Sequence, residues 1–290
     1  MSVVERALDK LRRNPPSESP VPAVDPIAAV AALAVEEPAN LDAPRILIDR
    51  AALRAAGYLP DENQGRRFAD EYRRIKRPVL AAAFASDADA KHPSPRLVMM
   101  ASALPGDGKT FTSINLALSL SRERDTGVVL VDADVAKPHI SAIFGVDHEH
   151  GLLDALSDSA LDPARLVLPT DVKGLSILPA GKSREGATEL LSSGRMAEVA
   201  RLLLAAYPRK VVLFDSSPLV VSTESRALAL NMGQIVMVVR AGKTPRNAVL
   251  EALDALGERE GVSMVLNQGR RNLLDGYGYG YGEYGSGENA

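Results

Sequence analysis

The 290-residue chain has no cysteine and no tryptophan, and aromatic residues make up only 4 % of it. Without cysteine there can be no disulfide, thiolate metal site or cysteine nucleophile, which fits a reducing compartment. A dominant charge sign is also lacking. The net charge is −3, so no global field draws in nucleic acid or acidic lipid, and no nucleic-acid partner is expected. Long apolar runs are missing as well. The longest near the N-terminus, 27–35, is mostly alanine and falls well short of the roughly 20 residues that a spanning helix needs. The opening MSVVERALDKLRR has no apolar signal core. These absences predict a soluble, cytoplasmic protein that reaches a membrane only through something else. The HRD and DFG motifs of the eukaryotic kinase fold are absent too.

What is present is 46 % hydrophobic, enough for a sizeable core. Val4, Ala7, Leu8 and Leu11 recur at helical spacing, so 2–13 reads as a short helix. From Asn14 to Pro44 seven prolines, with Ala, Ser and Glu, mark a tether. In the unit 66–77, RRFADEYRRIKR, the residues Phe68, Tyr72 and Ile75 (then Val79) form a stripe suited to docking on a core. Glu71, Arg74 and Arg77 fall on another face, either a solvated one or a partner-binding one. Pro78 is expected to end this helix.

From Arg96 onward, apolar runs alternate with helical patterns. Strands are expected at 97–101, 128–131, 175–178, 211–214, 235–239 and 262–266, apolar on both faces as in a covered parallel sheet. Among the helices, the one carrying Val249, Leu253 and Leu256 has Thr244 as its expected N-cap, Pro245 in its first turn and Gly257 as its stop. The pattern predicts an α/β fold, a mostly parallel sheet flanked by helices on both faces. The expected division is an N-terminal helix and linker over 1–44, a catalytic domain over 45–274 and a Gly/Tyr tail over 275–290. That tail holds four of the chain's seven tyrosines, Tyr277, Tyr279, Tyr281 and Tyr284.

The chemistry concentrates in three places. ALPGDGKT, 103–110, follows a strand and precedes a helix. Gly106 and Gly108 would wrap a phosphate, Lys109 would reach the β- and γ-phosphates, and the Thr110 hydroxyl would sit on Mg²⁺. Ala103 stands where the strict P-loop spacing asks for glycine, and a plain glycine turn is the alternative. VVLVDAD ends a strand with Asp132 and Asp134, which two-residue spacing aims at the same side. VVLFDSSP places Asp215 at the end of another, where P-loop enzymes hold their metal. Carboxylates at that sheet edge suit Mg²⁺ and a proton acceptor. His148 and His150 read as exposed loop residues rather than metal ligands.

PGDG with Lys109-Thr110, VLVDAD and LFDSSP together resemble the bacterial tyrosine kinases, P-loop autokinases of capsular and exopolysaccharide export. HISAIFGVDHEHGLLDAL, LPAGKSREGATELLSSGRM and VVRAGKT extend the likeness from about residue 66 to the C-terminus. VERALDKL and LRAAGYLPDE resemble the subgroup found with exosortase-type polysaccharide loci. The resemblance implies ATP and Mg²⁺ as cofactors. Pro105, Gly106, Asp107, Gly108, Lys109, Thr110 and Phe111 would bind nucleotide, and Asn267 would touch the adenine. Lys109, Asp132, Asp134 and Asp215 would be catalytic, with Asp132 the preferred acceptor of the tyrosine proton and Asp134 a metal or water ligand, roles the two could exchange. Thr110, Asp134 and Asp215 would hold the metal. Glu71, Arg74 and Arg77 match an E-x-x-R-x-x-R element of ring-like self-association, and the tail tyrosines would be autophosphorylated in trans. Implied partners are a second copy, a separate membrane polysaccharide co-polymerase or chain-length determinant as activator, and a tyrosine phosphatase.

Three departures accompany the likeness. The metal-binding strand ends Asp215-Ser216-Ser217-Pro218 rather than the family's common Asp-Thr-Pro-Pro. Leu104 stands where partition and division-site ATPases carry a lysine, and no membrane-spanning segment is read where many members have them. Two alternatives stay open: an ATPase of the partition type, and an ATP-binding regulator without kinase activity.

Overall fold

The computed structural model describes residues 45–85, 93–182 and 186–269. The expected N-terminal helix and linker, and the tail with Tyr277, Tyr279, Tyr281 and Tyr284, lie outside the described residues. Seven strands form one sheet: β1 Leu97–Ser102, β2 Gly127–Ala133, β3 Leu168–Pro169, β4 Leu175–Leu178, β5 Lys210–Ser216, β6 Gln234–Arg240 and β7 Val262–Asn267. Their spatial order is β3-β4-β2-β5-β1-β6-β7. All pairings are parallel except β3 with β4. The six strands read from the sequence are all there, within two residues at each end. The added β3 is two residues long, too short to show any periodicity.

The strand alternation divides the core in two. Met99, Val129, Val131, Phe214 and Met237 face one side and Val98, Met100, Leu130, Leu213 and Val238 the other. Helices α1 Arg50–Ala55, α2 Gly65–Ala83 and α3 Lys109–Leu120 lie on the second side, with Leu53, Tyr72, Val79, Ile114 and Leu120 packed into it. Chain order continues with α4 His139–Ile143, α5 Leu152–Ser157, α6 Ala187–Ser192, α7 Gly194–Ala206, α8 Thr223–Ala229 and α9 Arg246–Leu256. Of these, α5 and α7 to α9 supply Leu153, Leu203, Leu228 and Ala252 to the first side.

Three expectations need correcting. Pro78 does not end its helix, because α2 runs on to Ala83 with the proline inside it. Proline removes one N–H and crowds the carbonyl four residues back, but both Pro78 and Arg74 are exposed, so water can serve that carbonyl. Val79 and Ala83 meanwhile extend the buried stripe begun by Tyr72. Second, β7 is not covered on both faces. It is an edge strand paired only with β6, and Met264 and Leu266 are 61 % and 67 % exposed. Third, the residue capping α9 is Pro245 rather than Thr244. The Thr244 hydroxyl is occupied at the phosphate loop instead, while Gly257 (φ +68°) does stop the helix.

Candidate active site

The loop after β1 takes its shape from two glycines with left-handed backbone, Gly106 (φ +84°) and Gly108 (φ +95°). L-residues with side chains rarely adopt such values. At Gly108 a β-carbon would also strike the Asn267 amide. α3 begins at Lys109 with Gly108 as its cap and no side chain capping it. First-turn N–H groups without internal partners, at the positive end of the helix dipole, make an anion site.

The loop is braced from both directions. The Asp107 carboxylate accepts from Leu104 N (3.0 Å) and from the Thr244 hydroxyl (2.7 Å), while Asn267 Nδ2 donates to the Asp107 carbonyl (2.9 Å). Gln268, next to Asn267, is the one non-glycine with positive φ (54°) among the described residues. It is tied to Arg240 Nε at 2.8 Å.

Beside the loop sit three carboxyl groups and one ammonium. Parallel register sets Asp132 of β2 directly against Asp215 of β5. Asp215 is fully buried. It accepts from the Thr110 hydroxyl on one oxygen and the Ser113 hydroxyl on the other, both at 2.8 Å. Lys109 Nζ lies 3.5 Å from Asp215 and 3.9 Å from Asp134. Asp134 Oδ1 accepts from the Ser217 hydroxyl (2.6 Å) and Lys137 N (3.2 Å), which leaves Oδ2 toward Lys109.

Asp132 is the extreme case. It is fully buried, and its Oδ2 accepts from both the N–H and the hydroxyl of Ser141 at 2.7 Å. Its Oδ1 has no partner among the described residues. Burial pushes its pKa up to about 7 against the pull of the two Ser141 donors, and the charges of Asp215 and Asp134 add to the rise.

A cavity of about 590 Å³ opens over these groups, floored by 105–110 and walled by Tyr58, Phe111, Asp134, Lys137, His139 and the 217–222 turn with Glu224. Pro105, Gly106, Asp107, Gly108, Lys109, Thr110, Phe111 and Asp134 all line it. Asp132 and Asp215 stand behind its wall, and Asn267 flanks the loop on the β7 side. The arrangement can hold a phosphate chain on N–H groups and one buried cation, and present acidic oxygens at one end of it.

Sequence reasoning missed the serines that hold these carboxylates, Ser113, Ser141 and Ser217. The unusual Asp-Ser-Ser-Pro turn was the one available signal. Away from the site, Glu71 pairs with Arg67 (3.0 Å) while Arg74 and Arg77 are exposed, and so are His148 and His150.

No protein-family model matches this chain. The tyrosine-protein kinase YwqD of Bacillus subtilis is 31 % identical to it over 195 residues, 66 % of this chain and 78 % of YwqD. The chain belongs to the bacterial tyrosine-kinase family. The putative tyrosine-protein kinase EpsB of Ralstonia nicotianae is 33 % identical over 195 residues, and the match spans about a quarter of EpsB, 25 %. Among solved structures, the kinase domain of VpsO aligns with a TM-score of 0.58 and 29 % identity over 72 % of this bacterial tyrosine kinase and 98 % of that domain. ATP-dependent kinase chemistry is the activity of the family, and the braced phosphate loop of this kinase is in keeping with it.

Proposed function

We propose that the chain is an ATP-dependent protein-tyrosine autokinase that phosphorylates Tyr277, Tyr279, Tyr281 and Tyr284 of another copy. The observation that carries this is the meeting of Lys109, Thr110, Asp134 and Asp215 at the carboxyl ends of β1, β2 and β5, beside one cavity. Ligands of open α/β sheets bind at that edge, where the connections diverge.

ATP·Mg²⁺, when bound, supplies the transferable phosphoryl group and the charge that neutralises its oxygens. The residues fit it. The Gly106–Gly108 backbone offers N–H groups, Lys109 a buried ammonium, and Thr110, Asp134 and Asp215 oxygen ligands. Among the described residues no three His, Cys, Asp or Glu side chains form a ready cage. Mg²⁺ does not need one, since it keeps several waters and takes other oxygens from phosphate.

Asp215 fixes Thr110 and faces Lys109, so the cation is positioned before any ligand arrives. Asp134 is clamped by Ser217 and Lys137 N–H with one oxygen toward the cavity side. A free phenol has a pKa of about 10, so a proton acceptor helps its attack near neutral pH. Asp132, raised to about 7 and with Oδ1 unpartnered among the described residues, is the acceptor we assign. Asn267 holds the loop and in our reading borders the adenine.

Residues 45–274 would be the kinase domain, 1–44 an N-terminal helix and linker, and 275–290 the substrate tail. Glu71, Arg74 and Arg77 would join copies into a ring. No helix among the described residues is long and apolar enough to cross a membrane. The family's association with exopolysaccharide export supports a membrane co-polymerase as activator and recruiter, with a tyrosine phosphatase to reset the tail. The two N-terminal sequence signatures support an exosortase-type locus.

The test is incubation of the full chain with γ-labelled ATP and Mg²⁺, followed by mapping of the label. Phosphotyrosine in the tail, abolished by Lys109→Met, is the expected result. ATP consumed with label only in free phosphate, even with candidate activators added, would point to an ATPase of the partition type.

A further inference from the structure

Three tyrosines fall among the described residues, and they differ sharply in situation. Tyr72 is buried, and its phenol is pushed up by burial. Tyr207 is buried, with its hydroxyl donating to the Ala164 carbonyl at 3.1 Å. Tyr58 is half-buried and lines the same cavity as the phosphate loop.

Nor is Tyr58 there by accident of a loose loop. Asn115, on the helix that the phosphate loop opens, donates from Nδ2 to the carbonyls of both Tyr58 and Phe111 at 2.8 Å. The Tyr58 amide is tied back to Leu53 O at 2.8 Å. The backbone of Tyr58 is therefore fixed to the element that carries Lys109, and Phe111 lines the cavity with it.

Sheet order tells which reactant this wall meets. The catalytic carboxylates come from β2 and β5, on one side of β1, whereas Asn267 and Arg240 come from β6 and β7 on the other. A phosphate chain whose reactive end lies at Asp134 and Lys109 must carry its nucleoside away from β2, toward β6 and β7. The segment that leads to Tyr58 is bridged to the β3 end of the sheet at Ile46–Thr170, beyond β2, and Lys137 and His139 line the same cavity as Tyr58; this β2 side is left for the phosphoryl acceptor.

Resting on the kinase reading above, we propose that Tyr58, with Phe111, forms an aromatic subsite that receives the phenol ring of the incoming tyrosine. Aromatic rings attract one another in offset or edge-on contact and bury apolar area as they do so. Every tail tyrosine follows a glycine or a glutamate, and all four are followed by glycine, so the rings can enter a narrow slot with little hindrance from neighbours. Lys137 at the same wall complements Glu283, which precedes Tyr284.

The test uses two populations of full-length chain. The acceptor is Lys109→Met, and the enzyme carries all four tail tyrosines as Phe, with residue 58 as Tyr, Phe, Leu or Ala. Tyr58→Ala should raise KM for the acceptor chain about tenfold, the size expected for losing an aromatic contact and its burial, with KM for ATP shifted less than twofold. Tyr58→Phe should stay within twofold of the parent, and Tyr58→Leu should fall between. ATP affinity and a melting curve report folding of each variant. The proposal is overturned if Tyr58→Ala leaves the acceptor KM unchanged, or raises the ATP KM instead, which would put the ring against the base. It is also overturned if Tyr58→Phe is as impaired as Tyr58→Ala, or if Tyr58 itself gains phosphate, since the hydroxyl and not the ring would then matter. Absence of transfer by the parent enzyme under every condition takes down the kinase reading and this proposal together.

Discussion

Replacing Asp132 by asparagine should leave a protein that is more stable at neutral pH and unable to transfer phosphate. The folded protein holds the Asp132 carboxyl at about 7, against an ordinary value of 3.8, chiefly because the group is fully buried. Between those two pH values the folded state keeps a proton that the unfolded chain has lost, so stability falls as pH rises. The whole loss is about 4 kcal/mol, at about 1.36 kcal/mol per pH step, and is complete above pH 7. Asparagine resembles the protonated acid. It still accepts from Ser141 on its oxygen and, like the acid's own O–H, has no partner at the second position among the described residues. Parent and variant should therefore match near pH 4 and diverge to about 4 kcal/mol near pH 8, which for a domain of this size is roughly 8–16 °C in Tm. Urea unfolding from pH 4 to 8, in chelator and without nucleotide, reads this directly. Two parallel stability curves would refute the argument, because the burial of Asp132 would then cost nothing.

Ser217→Ala removes one of the two donors that clamp Asp134 and leaves only Lys137 N–H. Hydrogen bonds to charged groups are worth about 1.5–3 kcal/mol, so the buried Ser217–Asp134 bond should cost about that much stability when lost, and kcat should fall roughly tenfold or more; an unaltered kcat would contradict the clamp. Asn267→Ala frees the Asp107 carbonyl and should raise the Kd for ATP several-fold, measured by equilibrium binding; unchanged affinity would argue against a role at the loop. Pro78→Ala should stabilise the protein by about 1–3 kcal/mol, since proline inside an exposed helix turn costs up to about 3 relative to alanine. A lower urea midpoint would mean that Pro78 shapes α2 usefully. Full phosphorylation adds roughly −6 to −8 charges to the tail and should dissociate a ring held by Glu71–Arg contacts, whereas an oligomer of unchanged size would refute that.

The central strands were legible because β1, β2 and β5 are buried on both faces, and continuous Val, Leu and Met runs report that directly. The same signal misled at β7. Met264 and Leu266 look like core, but composition does not say whether a strand ends up at the edge of a sheet. Pro78 was read by a local steric rule, and the stripe from Tyr72 to Ala83 outweighed it through packing not visible locally. At the site, Lys109 and the three acids declare themselves by spacing. Their supports do not, since Ser141 reaches Asp132 from the start of α4 and Ser217 reaches Asp134 across 83 residues of chain. A serine is common everywhere, and only tertiary structure tells which hydroxyl fixes a carboxylate. Tyr58 is a similar case, brought to the cavity by Asn115.

The most direct test of the account mixes two full-length chains with γ-labelled ATP and Mg²⁺. One is active and carries Phe at 277, 279, 281 and 284; the other is Lys109→Met with its tail tyrosines intact. Label on Tyr277, Tyr279, Tyr281 and Tyr284 of the Lys109→Met chain is the predicted result. ATP turnover with no phosphotyrosine on either chain would contradict it.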